Sequence, residues 1–233
     1  MRIGKNIEML EVKGSLMPVY PTLMWDTDNL VLADTGTPDM WSAICEQITK
    51  TGKRVENITA LIFTHQDIDH IGCVKDVLAV APNVKLYAHA DEIPYINGQK
   101  EPQKIESMKK RFDLNTAEGK ESFEQFRQGF VNRRVNIDVA LNDGDVLDMC
   151  GGIEVIHTPG HTFGHICLLV KQEGVLIAGD GLNVADGKLT GANPMHTYDM
   201  EAANNSFKKL MKYDIKKVVC FHGGLYTGGV KAE

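Results

Sequence analysis

The sequence predicts a layered α/β protein. Short apolar runs of strand length recur along the chain, and segments with helical spacing interleave with them. The 233 residues are 43% hydrophobic, and no Pro/Ser-rich or low-complexity tract divides them. A single domain over residues 1–233 is therefore expected.

Leu30–Ala33 is an apolar strand. Thr37 followed by Pro38 has the chemistry of a helix cap and first turn, and Trp41, Ile44, Cys45 and Ile48 follow at helical spacing. Ile58–Phe63 is rich in branched and aromatic residues and reads as a buried strand. A second helix is expected from Asp69 to Val80, stopped by Pro82, and Val84–Ala88 is the next strand. Residues 93–134 are more polar, with nine Lys/Arg against six Asp/Glu and helix-compatible pieces at Ile105–Phe112 and Ser122–Phe130. They are expected to form a helical insertion over the strand ends. Ile153–Ile156, Ile166–Val170, Val175–Ala178 and Val218–Phe221 are further strands. A last helix is expected from Asp199 to Tyr213, with Ala202, Phe207, Leu210 and Met211 on or near its apolar face.

A formal net charge of −6 argues against nucleic acid as a bulk electrostatic partner. The N-terminal residues lack the apolar stretch of a signal peptide, and no apolar run approaches the ~20 residues of a membrane span. The cysteines (Cys45, Cys73, Cys150, Cys167, Cys220) are odd in number and form no Cys-x-x-Cys pair. A reducing cytoplasm without disulfides is expected. Cys167 and Cys220 lie in apolar runs and read as small buried hydrophobes.

The most informative stretch is Thr64-His65-Gln66-Asp67-Ile68-Asp69-His70, directly after Leu61-Ile62-Phe63. Surface loops are often rich in Asp, but two imidazoles and two carboxylates at the exit of a buried strand point to metal binding. Groups of the same type recur at later strand ends. His161 follows the Pro159-Gly160 turn, Asp180 stands between two glycines, and His222 precedes Gly223-Gly224. One such group is weak evidence; four in one chain are strong evidence.

The combined order resembles the metallo-β-lactamase superfamily, whose signature is His-x-His-x-Asp-His followed by a later His, Asp and His. The resemblance covers nearly the whole chain, including Asp34-Thr35-Gly36, Thr158-Pro159-Gly160-His161, Gly179-Asp180 and His222-Gly223. It implies an αββα sandwich of two similar halves, with two divalent metal ions between the sheet edges. Zinc is the first expectation, with manganese or iron as alternatives. By resemblance, His65 and His161 serve the first metal, Asp69, His70 and His222 the second, and Asp180 bridges them. Asp34 matches a position that is more structural than catalytic.

Asp67 departs from the family, which usually has its second His there. Residues 65 and 67 still point the same way in extended chain, so Asp67 can reach the first metal as an oxygen ligand. The extra carboxylate lowers the net charge of the site by one. It should raise the pKa of bound water above the ~7 typical of catalytic zinc and favour harder or iron-like metals.

The expected activity is metal-dependent hydrolysis of a small ester, lactone or thioester, with Asp69 moving the proton. A diiron redox site is the alternative that Asp67 suggests, and a degenerate, non-catalytic binding domain is the third. Among the other histidines, His165 is expected to brace the His161 turn, His157 to point away from the metals, and His89 to cap or face solvent. His196 and Tyr198 are candidate substrate contacts. The expected partner is a small molecule, with no nucleic acid and no membrane. In relatives, insertions like 93–134 form a lid or a homodimer contact.

Overall fold

The computed structural model describes residues 1–14 and 17–230. Two sheets form its centre. The first orders its strands Arg2–Gly4, Ile7–Met9, Thr22–Trp25, Leu30–Ala33, Ala60–Ile62, Lys85–His89 and Val139–Leu141. The second orders Val146–Leu147, Ile153–His157, Ile166–Val170, Val175–Ile177, Lys217–Cys220 and Gly224–Tyr226.

The unbroken apolar runs are explained by burial on both faces. In Leu30–Ala33, Val31 and Ala33 join the cluster between the sheets, while Leu30 and Leu32 join the cluster under the helices. In Ile166–Val170, Ile166, Leu168 and Val170 face inward, while Cys167 and Leu169 face the opposite helix layer. Period-two geometry divides each strand between two cores. Helices Trp41–Lys50 and Val74–Val80 cover the first sheet through Ile44, Ile48, Val74 and Val77. Helix Met200–Leu210 covers the second through Leu210. The result is the four-layer αββα sandwich. Cys167 and Cys220 are fully buried, as their surroundings predict.

Three helix expectations need correction. The first helix starts at Trp41, not at Pro38, because the Thr37 hydroxyl bonds Asp39 and caps no backbone N–H. Residues 37–40 instead make a turn closed by Met40 N donating to Thr37 O at 3.0 Å. The expected helix from Asp69 to Val80 is two pieces, Ile68–Ile71 and Val74–Val80. Its backbone partners are diverted to the 34–36 loop: Thr35 N donates to His70 O at 2.7 Å, and Gly72 N donates to Gly36 O at 3.0 Å. A Cβ at Gly72 would lie 2.4 Å from that same carbonyl oxygen, so only glycine allows the approach. The last helix begins at Met200, with the Asp199 carboxylate accepting from Ala202 N as its cap, and ends at Leu210.

Residues 93–134 carry helices Ile93–Ile96, Gln103–Met108 and Ala117–Val131. They bridge two parallel neighbours of the first sheet, Lys85–His89 and Val139–Leu141. Thr116 caps the longest helix by accepting from Gly119 N. Among the described residues, no helix is long and apolar enough to cross a membrane.

Candidate metal centre

The strand Ala60–Ile62 leads into Phe63 and Thr64, and the next residues run along the end of the sheet. Extended chain at Asp67 puts residues 65 and 67 on one side and residue 66 on the other. His65 Nε2 and Asp67 Oδ2 are 3.8 Å apart, as the spacing predicts. The Pro159-Gly160 turn brings His161 Nε2 to 3.3 Å from Asp67 Oδ2 and 3.5 Å from Asp180 Oδ2. Gly160 has φ +139°, and a Cβ there would lie 2.3 Å from Ala203 N, so this turn packs against the last helix.

The second group lies on the other side of Asp180. His70 Nε2 is 3.4 Å from Asp180 Oδ1, His222 Nε2 is 3.4 Å from Asp180 Oδ2, and His222 Nε2 is 3.1 Å from Asp69 Oδ2. Each set, His65/His161/Asp180 and Asp69/His70/His222, offers ligand atoms within 4.8 Å of one another. Around an ion with bonds of ~2.1 Å, tetrahedral donors lie ~3.4 Å apart. The observed spacings fit.

Hydrogen bonds fix which nitrogens are free. His70 Nδ1 lies 2.9 Å from Asp34 Oδ2, and Asp34 also accepts from Thr64 N and Thr64 Oγ1. His65 Nδ1 lies 3.1 Å from Thr64 Oγ1. The network is satisfied when both rings donate from Nδ1, leaving Nε2 of each as a bare acceptor. Buried atoms without a hydrogen bond include His65 Nε2, His70 Nε2, Asp67 Oδ1 and Asp180 Oδ1. An orphaned cluster of this kind is destabilising unless a cation satisfies it. His165 braces the turn as expected: Nδ1 pairs with Thr158 Oγ1 at 2.8 Å, while Nε2 accepts from Asp180 N at 3.1 Å.

Without a cation, the site's charges lean on one another. Burial opposes a charge on His222, but Asp180 and Asp69 outweigh it and lift the imidazole to about 9. His70 is raised well above its usual value against the same burial, by Asp34, Asp180 and Asp69. His65 goes the other way, to about 4, through burial and the neighbouring charge of His70. Burial would raise Asp67, yet the Lys104 ammonium, His161 and His65 hold it well below the usual carboxylate range.

Three residues that frame the site, Glu92, Gln103 and Lys104, carry no signature in the sequence. Glu92 is fully buried; its Oε2 accepts from Gln66 N (2.8 Å) and Gln66 Nε2 (3.0 Å), and its Oε1 accepts from Gly164 N (2.7 Å). It thereby ties the 65–70 loop to the 158–165 loop, and burial pushes its carboxyl up to about 7. Gln103 N donates to Gln66 Oε1, and Gln103 Oε1 accepts from Phe163 N at 3.0 Å. Lys104, next in sequence, places Nζ 2.9 Å from Asp67 Oδ2. Gln66, inside the motif, is the one hint: a buried amide there needs partners.

Above the centre lies a pocket of about 420 Å³ lined by Met17, Lys104, Asn183, Asn193 and His196 as well as the ligand-type residues. His196 therefore lines the space over the site. Tyr198 borders an adjoining smaller pocket and packs edge-on against Phe163 at 4.7 Å. Of the two roles expected for His89, capping holds and solvent exposure does not: it is buried, accepts from Asp91 N in the following turn and stacks on His157 at 4.1 Å. His89, Asp91 and His157 form a third ligand-type set. Their two rings are nearly parallel, 10° apart, so their in-plane lone pairs cannot converge on one ion.

The fold is that of one class of protein. A profile of the metallo-beta-lactamase superfamily matches residues 14–222, and the chain belongs to that superfamily. Among curated proteins it is 27% identical over 236 residues to YflN, a probable metallo-hydrolase of Bacillus subtilis, covering 97% of this chain and 84% of that one. It is 25% identical over 196 residues to the hydroxyacylglutathione hydrolase of Francisella tularensis subsp. novicida, covering 84% of this chain. The match spans only 58% of that relative's length. Among solved structures, the metallo-beta-lactamase family protein TTHA1429 of Thermus thermophilus superposes with a TM-score of 0.72 at 23% identity, covering 95% of this chain and 75% of that one.

Proposed function

We propose that this hydrolase of the metallo-β-lactamase fold cleaves a small thioester, with small esters and lactones as the neighbouring class of substrate. One observation carries the reading. Donor groups from both halves of the chain gather around Asp180, with bare buried nitrogens, on the floor of a 420 Å³ pocket. The similarity to hydroxyacylglutathione hydrolase supports a thioester within that class.

His65, Asp67, His161 and Asp180 would hold one divalent ion, and Asp69, His70, His222 and Asp180 a second, with zinc preferred and manganese or iron as alternatives. Ions bound there supply Lewis acidity and lower the pKa of water. The residues do the rest. Asp34 and Thr64 hold His70 and His65 in one tautomer and orientation. Asp69 directs Oδ2 at His222, and its carboxylate takes the proton from the attacking water and returns it to the leaving thiolate sulfur. His196 and Tyr198 border the space in which the acyl group would lie. The same reading places the protein in the cytoplasm with a small-molecule substrate, neither nucleic acid nor membrane as partner, and residues 93–134 as a lid or homodimer contact.

The test is release of free thiol from a panel of acyl thioesters, a hydroxyacyl-glutathione among them, by zinc-loaded protein. Turnover should vanish on chelation and return with zinc. Zinc-loaded protein that releases thiol from none of the panel, yet opens a lactone or cleaves a phosphodiester, would refute the thioester assignment.

A further inference from the structure

Asp67 stands where the superfamily usually has a neutral imidazole, and a bare carboxylate there would change the charge of the first ion site. Its Oδ2 is shared between the ligand group and one cation. His161 Nε2 is 3.3 Å away and Lys104 Nζ is 2.9 Å away on the insertion side. Among the described residues, Lys104 has no other carboxylate within 4.0 Å. The pair is secluded: the two side chains are 22% and 4% exposed, against 59% and 66% in the surface pair Lys50–Glu46. A surface pair of that kind contributes almost nothing, whereas a buried one fixes both partners.

Lys104 is also held in place from both sides. Gln103 and Ile105 are buried, and Gln103 is hydrogen-bonded to Gln66 and to Phe163 N, one neighbour from each ligand loop. Gln66 is in turn fastened by Glu92. The segment that carries the cation is thus fixed to Gln66, next to Asp67, and to Phe163, two residues after His161. A lysine merely covering the pocket would need none of these bonds.

We propose that Lys104 is a positioning residue which supplies the counter-charge for Asp67, so that the ion pair as a unit replaces the neutral second imidazole of the motif. This rests on the metal-centre reading above. Carboxylate and ammonium together carry no net charge, so the first ion meets the charge of an all-imidazole site through an oxygen donor. The lysine fixes which oxygen faces the ion, as outer hydrogen bonds do for other ligands. The expectation drawn from Asp67 alone, a site poorer in positive charge, is thereby cancelled.

The test is a zinc titration of stripped protein against a chromophoric chelator, together with the melting temperature of each metal-free form. It uses the wild type, Lys104→Met, Lys104→Arg, Asp67→His and the double variant Asp67→His/Lys104→Met. Lys104→Met should tighten the first site about tenfold, because the remaining carboxylate is uncompensated. Lys104→Arg should stay within about threefold of wild type, because the charge is kept. Asp67→His alone should weaken that site at least about tenfold, since it sets an imidazole against an unpaired ammonium. Adding Lys104→Met should restore it to within about threefold of wild type and raise the metal-free melting temperature above that of Asp67→His. Unchanged zinc affinity in Lys104→Met, or a double variant no better than Asp67→His, overturns the proposal. Wild type that takes up no zinc overturns the metal-centre reading as well, so the two failures are distinct.

Discussion

Replacing Asp180 with alanine should remove measurable turnover and, on the proposed two-ion reading, release at least one ion. Its two oxygens lie 3.4–3.5 Å from three imidazoles, His70, His161 and His222, contributed by three different segments of the chain. Among the described residues, no other carboxylate lies within 4.0 Å of imidazoles from both donor sets. Its backbone is held independently, through Asp180 N donating to His165 Nε2, so the side chain can be removed with little disturbance of the loop. The expected loss in kcat/KM is on the order of 10³-fold or more, the scale set by removing a preorganised electrostatic group from a closed site. Thiol-release kinetics beside elemental analysis of the same sample checks it. A variant that keeps both ions and loses less than about tenfold in rate would remove Asp180 from the bridging role.

The second large effect should come from a residue that touches no ion. Glu92→Ala leaves Gln66 N, Gln66 Nε2 and Gly164 N without their acceptor in a buried setting. Each unsatisfied group costs roughly 1–3 kcal/mol, so the total is several kcal/mol, a large share of a domain's margin. The melting temperature of Glu92→Ala should fall sharply, and ion retention with it, because the clamp spans both ligand loops. Glu92→Gln keeps one acceptor and should fall between.

The pH dependence has a defined sign. Burial raises the Glu92 carboxyl from 4.5 to about 7 in the folded chain. Its contribution is therefore fully present below 4.5 and is lost as pH rises through about 7. Wild-type stability relative to Glu92→Gln should decline across that window. A flat difference between the two proteins from pH 4.5 to 7.5 would contradict the assignment.

How much of this was legible in the sequence depended on periodicity and on ligand chemistry. The central strands were legible because burial on both faces makes them continuously apolar, as in Leu30–Ala33 and Ile166–Val170. The N-terminal strands Arg2–Gly4 and Ile7–Met9 were not, because three residues that mix charged and apolar side chains establish no period. The break at Gly72 was hidden because its cause, the carbonyl of Gly36, lies 36 residues earlier. The centre was legible because metal ligands are few in chemical type and sit at strand ends. Its frame was not: Glu92, Gln103 and Lys104 are ordinary polar residues in a polar stretch. Only the fold brings them to Gln66 and Asp67.

The central claim is that two ions sit on either side of Asp180. Anomalous diffraction at the zinc edge, from crystals of zinc-loaded protein, tests it most directly. Two peaks are predicted: one among His65, Asp67, His161 and Asp180, the other among Asp69, His70, His222 and Asp180. A map with no peak beside Asp180, or with its only peak at His89 and His157, would contradict it.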